Sequence, residues 1–157
     1  PSDLYSYINE ASKEVRLFIN NEPEEFTLVN GYISLDKSWK DGDVVELVLH
    51  MDTKKVIPNE NIKEIVGKVA FERGPIVYCA EQVDNPAGVL GKVLNEQTKF
   101  TPKYYSILLQ GIVKLESDSL TLIPYYAWSH RGPGEMEVWF KKQENTNMIM
   151  KKQENKK

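Results

Sequence analysis

Short apolar runs separated by turn-forming residues constrain the fold of this chain more than any other feature of its sequence. Roughly eight to ten such runs follow one another at the length of β-strands. No stretch keeps the apolar period of a long helix. This spacing predicts an all-β fold, an antiparallel β-sandwich of jelly-roll-like or immunoglobulin-like type.

The clearest local prediction is a β-hairpin around the Asn-Gly pair at positions 30 and 31. Asn-Gly suits the positive φ angles of a two-residue type I′ turn. With that loop Leu28 faces Ile33, and this pair belongs to the core side of the hairpin. Upstream, Leu17 and Ile19 alternate with polar neighbours and predict a half-buried strand. Residues 1–12 are interpreted as coil with a helical turn.

The longest uninterrupted β-prone run is Val44–Met51. Val45, Leu47 and Leu49 fall on one face of it, which predicts a buried, central strand. A second segment, Lys54–Ile57, continues the pattern up to a proline at position 58. Because proline removes a ladder donor, we expect a strand to end there.

The segment Gly67–Glu81 contains two apolar strands joined through Arg73-Gly74-Pro75. Its Cys79 is the one cysteine of the chain, so no internal disulfide forms. A buried cysteine without a neighbouring base or further metal ligands behaves as a small hydrophobic residue. The Arg-Gly-Pro sequence recurs at 131–133, which predicts two structural loops of similar shape with each arginine bracing a carboxylate or turn carbonyls.

The second half of the chain predicts further strands. Tyr104–Leu115 is interpreted as one strand with a bulge or close backbone approach at Gly111. Leu120–Trp128 and Glu135–Phe140 are interpreted as a hairpin with a longer loop. The charged KKQEN repeats that follow predict a solvated tail, so the expected division is a sandwich at 1–140 and a tail at 141–157.

Charge and hydropathy exclude several partners. The net charge is -3, with 23 acidic and 20 basic residues, so the chain carries no electrostatic footprint for nucleic acid or for an anionic membrane. No apolar run approaches the roughly 20 residues that a membrane-spanning helix needs. We therefore expect neither a nucleic-acid nor a membrane partner.

Two kinds of chemistry are open to the residues near the Gly/Pro-rich loops. Paired carboxylates act in glycosidases, and the candidates are Glu72, Glu81, Asp84, Glu135 and Glu137. Exposed aromatic rings stack on sugars, and the candidate ligand-binding residues are Trp128, His130, Arg131, Glu135 and Trp139. The structural alternatives are a solvent-facing strand for the glutamates and core packing for the aromatic residues. No phosphate-binding loop, catalytic triad order or metal-ligand spacing occurs, so no catalytic and no metal-binding residue is assigned.

Two long motifs resemble a known family. GKVAFERGPIVYCAEQVDNP and IPYYAWSHRGPGEMEVWF, with WKDGDVVELVL upstream, are similar to the C-terminal region of glycoside hydrolase family 127, the β-L-arabinofuranosidase-like proteins. The similarity runs from about position 1 to position 140 and leaves the KKQEN tail outside.

The resemblance implies a larger parent enzyme with a helical (α/α)6 barrel before its β-sandwich region. In that family a cysteine nucleophile, a zinc ion and a glutamate acid/base reside on the barrel. No position here matches those motifs, and Cys79 is not the nucleophile. The resemblance therefore implies that any zinc lies outside this chain, and that the chain is a fragment with an incomplete sandwich.

Three functions are compatible with these observations. The first is a non-catalytic accessory domain that packs against the barrel of an enzyme for arabinofuranose-type plant glycans. The second is a free-standing module that binds oligosaccharide through Trp128 and Trp139, and the third is a protein-interaction domain. A homodimer is expected if an apolar docking face is left open. Plant-polysaccharide chemistry suits an exported bacterial parent, while the compartment of this chain is unknown.

Overall fold

The structure is a computed structural model that describes residues 3–8, 15–95 and 97–143. The chain forms two compact units, which we call unit 1 (Pro1–Glu10 with Thr53–Lys157) and unit 2 (Ala11–Asp52). The regular structure of the described residues consists of β-strands and three single-turn 3-10 helices. All strand pairs but one are antiparallel, which confirms the predicted all-β, sandwich-type class.

The strands of the described residues are numbered along the chain. They are β1 (Tyr5–Tyr7), β2 (Arg16–Ile19), β3 (Glu22–Glu24), β4 (Leu28–Val29), β5 (Tyr32–Ile33), β6 (Val45–Val48), β7 (Thr53–Pro58), β8 (Lys68–Arg73), β9 (Ile76–Glu81), β10 (Val93–Leu94), β11 (Thr101–Tyr105), β12 (Ile112–Glu116), β13 (Thr121–Pro124), β14 (Met136–Glu137) and β15 (Phe140–Lys142). The 3-10 helices are Gln82–Asp84, Leu108–Gln110 and Tyr125–Ala127.

Unit 1 is built on one large sheet with the strand order β1-β7-β8-β9-β13-β12-β11. β14 adds to β9, and β15 pairs with β8 and, in parallel, with β10. The side chains of β8 and β9 alternate between two faces and supply the centre of the core. The main buried cluster is Val69, Phe71, Tyr78, Ala80, Val89, Leu94, Phe100, Leu115, Leu120, Leu122 and Phe140.

The two strands predicted within Gly67–Glu81 are confirmed, and they pair with each other as a hairpin. Arg73 pairs with Ile76, so Gly74 and Pro75 form a two-residue loop between β8 and β9. Gly74 has a φ of 57°, a conformation that glycine adopts without a steric penalty. The second Arg-Gly-Pro differs, because it lies in the long loop between the Tyr125–Ala127 helix and β14. The two loops therefore do not share one shape.

Two segments of unit 1 differ from their predicted conformation. Residues 5–7 form the strand β1, where a coil with a helical turn was predicted. β1 pairs with the end of β7, so its backbone hydrogen bonds are made to that strand. Tyr104–Leu115 is two strands, β11 and β12, that pair with each other across a loop. Gly111 ends that loop with a φ of 107°. A Cβ atom at Gly111 would lie 2.5 Å from the hydroxyl oxygen of Tyr104, so the predicted close approach is made by a side chain.

The predicted hairpin of Leu120–Trp128 with Glu135–Phe140 is wrong. β13 pairs with β12 and β9, with Leu122 opposite Ala80. β14 also pairs with β9, with Glu137 opposite the same Ala80, and so it lies on the other edge of that strand. Alternation along a strand shows which residues share a face but not which strand lies beside it.

β15 crosses the predicted boundary between residues 140 and 141. Phe140 is fully buried and pairs with Val69, while Lys141 and Lys142 continue the strand. The first two residues of the predicted tail therefore belong to the sheet. Residues 144–157, which hold the rest of the predicted tail, lie outside the described residues.

Unit 2 contains a three-stranded sheet of order β3-β2-β6 and the separate hairpin β4-β5. The hairpin has the predicted register, with Leu28 opposite Ile33, and Asn30 and Gly31 both have positive φ. Leu28 is exposed rather than part of a core. Leu17 and Ile19 are buried on β2, as predicted.

The prediction of a central strand at Val44–Met51 is wrong. Only Val45–Val48 forms a strand, β6, and in the part of the chain that the structure describes it is an edge strand whose one partner is β2. Val45, Leu47 and Leu49, which were expected on a buried face, are exposed. β-propensity marks a segment as a strand, but the number of neighbouring strands decides whether it is central.

Candidate functional site

Four charged side chains gather at the end of β9. We call them the Arg131 network, which consists of Glu81, Asp84, Lys114 and Arg131. Glu81 is the last residue of β9, and Asp84 ends the 3-10 helix that follows directly. Lys114 projects from β12, and Arg131 lies in the loop before β14. The network joins three separate parts of unit 1.

Every carboxylate oxygen of the network accepts a hydrogen bond. Arg131 donates through Nη2 to one oxygen of Glu81 and to Oδ2 of Asp84, and through Nη1 to Oδ1 of Asp84 at 3.0 Å. Lys114 Nζ donates to the same Oδ1 at 2.6 Å. The remaining oxygen of Glu81 accepts from the backbone N–H of Ser129 at 3.0 Å. Two anions therefore face two cations, and the fork of Arg131 bridges both carboxylates.

The electrostatics of the network favour the charged forms. Burial opposes ionisation of Asp84, but the hydrogen bonds from Arg131 and Lys114 outweigh it and hold the pKa of Asp84 below its usual value. The hydrogen bond to Asp84 raises the pKa of Arg131 well above its usual value, against the effect of burial. Asp84 therefore stays ionised at neutral pH and does not act as a proton donor.

Local hydrogen bonds hold the loops that carry the network. The buried Asn85 donates from Nδ2 to the carbonyls of Glu81 at 2.8 Å and Thr121 at 2.9 Å, and its Oδ1 accepts from the N–H of Thr121 at 2.9 Å. Gln82 exchanges two hydrogen bonds with the backbone of Glu135, at 3.0 and 3.1 Å. The loops beside β9 are thus fixed to β13 and to the segment before β14.

A shallow hollow of about 580 Å³ opens beside the network. Its lining is Tyr104, Tyr105, Ser106, Ile107, Leu108, Leu109, Lys114 and Arg131. The Lys114 ammonium lies 4.8 Å from the ring centroid of Tyr105. Because both cations of the lining already bind carboxylates, the hollow presents aromatic and apolar surface rather than free charge.

The predicted ligand-binding residues lie in different surroundings. Trp128 is 38% exposed, and its ring packs against Tyr125 with a centroid distance of 6.1 Å. Trp139 stacks on Tyr5 of β1 at 5.7 Å. The two tryptophans therefore have separate aromatic partners and do not stack on each other.

The three polar members of the predicted set also separate. His130 and Glu135 are exposed, whereas Arg131 is committed to the network. The structural interpretation of Arg131, an arginine that braces carboxylates, is confirmed. The predicted role of all five residues in ligand binding stays a prediction.

Cys79 is fully buried among apolar side chains of β12, β13 and the Tyr125–Ala127 helix. Burial, with the nearby charge of Glu81, raises the pKa of the thiol to about 12. A protonated, inaccessible thiol is neither a nucleophile nor a metal ligand. The interpretation of Cys79 as a core residue is therefore confirmed.

The remaining candidate carboxylates lie on different segments of unit 1. Glu72 accepts a hydrogen bond from the Tyr7 hydroxyl at 2.9 Å, and this carboxylate raises the pKa of that tyrosine. Glu135 precedes β14 and is exposed, while Glu137 lies within β14 and is half-buried. Among the described residues no three of His, Cys, Asp and Glu gather as a metal site, so they do not fit the zinc that the resemblance implies for the parent.

Sequence reasoning selected Arg131, Glu81 and Asp84 separately but missed their association and missed Lys114. The partners lie 47 and 50 positions before Arg131 along the chain, and Lys114 lies 30 positions after Asp84. Opposite charges near two turns were the available signal. That signal does not specify which charges meet.

The fold and the network define an all-β domain with braced loops at the end of its central strand. The model of the glycoside hydrolase family 127 C-terminal domain matches residues 53–141, and the chain belongs to this family. The matched range begins where the second part of unit 1 begins. The resemblance read from the two long motifs is confirmed.

Relatives and solved structures support the same assignment. The chain is 30% identical over 152 residues to the non-reducing end beta-L-arabinofuranosidase of Bifidobacterium longum, covering 78% of this chain and 23% of the relative. A solved GH127 beta-arabinofuranosidase is 38% identical with a TM-score of 0.81, covering 91% of this chain and 25% of the other. A GH127 beta-L-arabinofuranosidase from Geobacillus stearothermophilus T6 is 29% identical with a TM-score of 0.72, covering 83% and 25%.

The chain spans about a quarter of the length of each of these proteins. Within the described residues, no helix is long and apolar enough to cross a membrane.

Proposed function

We propose that this chain is the non-catalytic accessory β-sandwich of a larger family 127 glycoside hydrolase that acts on arabinofuranose-type plant glycans. Its role is to pack against the helical barrel of that enzyme and stabilise it. The observation that carries the proposal is the match of residues 53–141 to the family's C-terminal domain, in a chain that spans about a quarter of the relatives' length. The ion pairs of Arg131 with Glu81 and Asp84 support a structural role for two of the candidate carboxylates.

The chemistry of the charged groups supports a structural role. A glycosidase needs one carboxyl group that gives up a proton and a second that acts as nucleophile or base. Here Glu81 and Asp84 are bound to Arg131, and the pKa of Asp84 is lowered. Cys79 is protonated and enclosed. The nucleophile, the acid/base and the zinc site are assigned by this proposal to the barrel of the larger enzyme.

The 157-residue chain should release no 4-nitrophenol from 4-nitrophenyl β-L-arabinofuranoside above the buffer blank. The reason is that Glu81 and Asp84 are paired with Arg131 and the thiol of Cys79 is buried. The measurement is absorbance with the Bifidobacterium longum relative, at equal molar concentration, as the positive control. Turnover by the chain that Glu137→Gln or Glu135→Gln abolishes would refute the non-catalytic assignment.

A second function, oligosaccharide binding, is favoured by one observation. Trp128, Tyr125 and Tyr126 are all exposed near the Tyr125–Ala127 helix, and exposed aromatic rings bind sugar faces. Under the accessory function, titration calorimetry with arabinofuranose oligosaccharides should give no heat beyond dilution. Heat that disappears in Trp128→Ala but persists in Tyr104→Ala, a matched exposed aromatic, would establish the second function instead.

A further inference from the structure

Unit 2 exposes more large apolar side chains than it buries. In its described residues the buried hydrophobic side chains are Leu17 and Ile19. The exposed ones are Leu28, Val29, Tyr32, Trp39, Val44, Val45, Leu47 and Leu49. A unit of about 40 residues rarely supports a core without a disulfide, a metal or a partner. The one cysteine of the chain lies in unit 1, so unit 2 has no disulfide.

The open apolar surface is concentrated on β6. Leu47 pairs with Leu17 and Val45 pairs with Ile19, and directly opposite residues of antiparallel strands share a face. Leu17 and Ile19 are 4% and 7% exposed, whereas Val45 and Leu47 are both 48% exposed. The same face of the sheet is therefore covered over β2 and open over β6.

The outer edge of β6 is also open for pairing. Among the described residues β6 pairs only with β2, so one row of its backbone groups has no partner strand in that part of the chain. Natural proteins block exposed edges with proline or lysine. The opposite edge strand, β3, contains Pro23 between two glutamates, but β6 has the sequence VELV. One edge of the sheet is protected and the other is suited to an additional strand.

The comparisons show that most of unit 2 has a counterpart in a longer GH127 polypeptide. The family model begins at residue 53, after unit 2. The solved GH127 structure nevertheless covers 91% of the chain, which leaves only about 14 residues unmatched. Most of the 42 positions of unit 2 therefore exist in a GH127 protein, three quarters of whose length lies outside the match.

We propose that β6 pairs with a strand from the part of the GH127 polypeptide outside the matched quarter, which continues the sheet of unit 2. The side chains of Val45 and Leu47 are then covered by the polypeptide that carries the added strand, on the face that they share with Leu17 and Ile19. The partner segment is an extended strand with apolar residues at alternate positions, because that pattern continues the apolar face. The inference rests on the proposed accessory function and locates the interface on unit 2.

The test compares the 157-residue chain with the full-length solved GH127 relative of 38% identity, which contains both the matched quarter and the rest of the polypeptide. We expect the β6 amides that point away from β2 to exchange hydrogen at least tenfold more slowly at the aligned positions of the full-length relative than in the 157-residue chain. Glutamine at the position of the relative aligned with Leu47 should speed the exchange of these amides at least tenfold. Glutamine at the position aligned with Glu46, on the opposite face, should change that exchange less than twofold.

Several outcomes would overturn the inference. Equal exchange of these amides in the two proteins removes the proposed edge and leaves the accessory function standing. Sedimentation of the free chain as a dimer, with these amides already as protected as in the full-length relative, assigns the edge to a second copy. Failure of the accessory function is recognised separately, as turnover by the chain alone.

Discussion

Replacing Arg131 with methionine should lower the free energy of unfolding of unit 1 by about 3–5 kcal/mol. Arg131 supplies hydrogen bonds to both Glu81 and Asp84, and Glu81 is only 2% exposed. Without the guanidinium, Glu81 keeps one backbone donor and its charge loses its counterion. A buried, uncompensated carboxylate is among the most destabilising changes in a protein interior. Urea unfolding followed by tryptophan fluorescence, with Trp39 of unit 2 replaced by phenylalanine so that Trp128 and Trp139 report on unit 1, measures the loss.

Two control variants separate this effect from the loss of a positive charge. Lys103→Met removes an exposed cation whose Nζ lies 3.8 Å from Oε2 of Glu116. Because exposed ion pairs contribute little, the urea midpoint of this variant should not change measurably. Arg131→Lys keeps the charge without the planar fork, so its stability should fall between those of the wild-type chain and Arg131→Met. A loss of less than about 1 kcal/mol in Arg131→Met would show that the network behaves as a surface ion pair.

The stability of the Arg131→Met variant should depend on pH because of Asp84. The pKa of Asp84 is lowered in the folded chain, so its contribution to stability is present above the unfolded pKa of about 3.9. That contribution is lost as the pH falls through the folded value. In Arg131→Met burial acts on Asp84 with Lys114 as its remaining cation, and protonation then relieves part of the penalty. The deficit of the variant should therefore be smaller at pH 4 than at pH 7.

Local turn chemistry explains what the sequence could predict of this fold. Asn30-Gly31 and Gly74-Pro75 each fix a two-residue loop, because their backbone conformations admit few alternatives. The strands on either side then pair with each other. The same local reasoning failed for Tyr104–Leu115, where Gly111 terminates a loop between two strands instead of interrupting one.

Long-range pairing could not be predicted from one sequence. The Glu135–Phe140 segment alternates like a strand, but its partners β9 and β8 are chosen by packing across the whole sheet. The Arg131 network likewise depends on charges that lie far apart along the chain. The wrong prediction of a central strand at Val44–Met51 has a physical reason, because a run as apolar as this one is typical of strands with a neighbour on each side. The structure leaves it at an edge, in agreement with the proposed additional strand.

Replacing Phe140 with alanine should lower the free energy of unfolding of unit 1 by about 3–5 kcal/mol. Phe140 is fully buried, it pairs with Val69, and its ring centroid lies 6.2 Å from that of Phe71. The change removes the whole aromatic ring and leaves a cavity between β15 and β8. These two strands connect the end of the described chain to the centre of the sheet. Urea unfolding measures this loss as well.

An exposed apolar residue provides the matched control for Phe140. Ile107 is 95% exposed, so Ile107→Ala should change stability by no more than about 0.5 kcal/mol, because no buried contact is lost. If Phe140→Ala were as mild as Ile107→Ala, residue 140 would lie outside the core, and the solvated tail would begin before the predicted position 141. If the loss reaches several kcal/mol, β15 is part of the core, and the folded domain extends at least to Lys142.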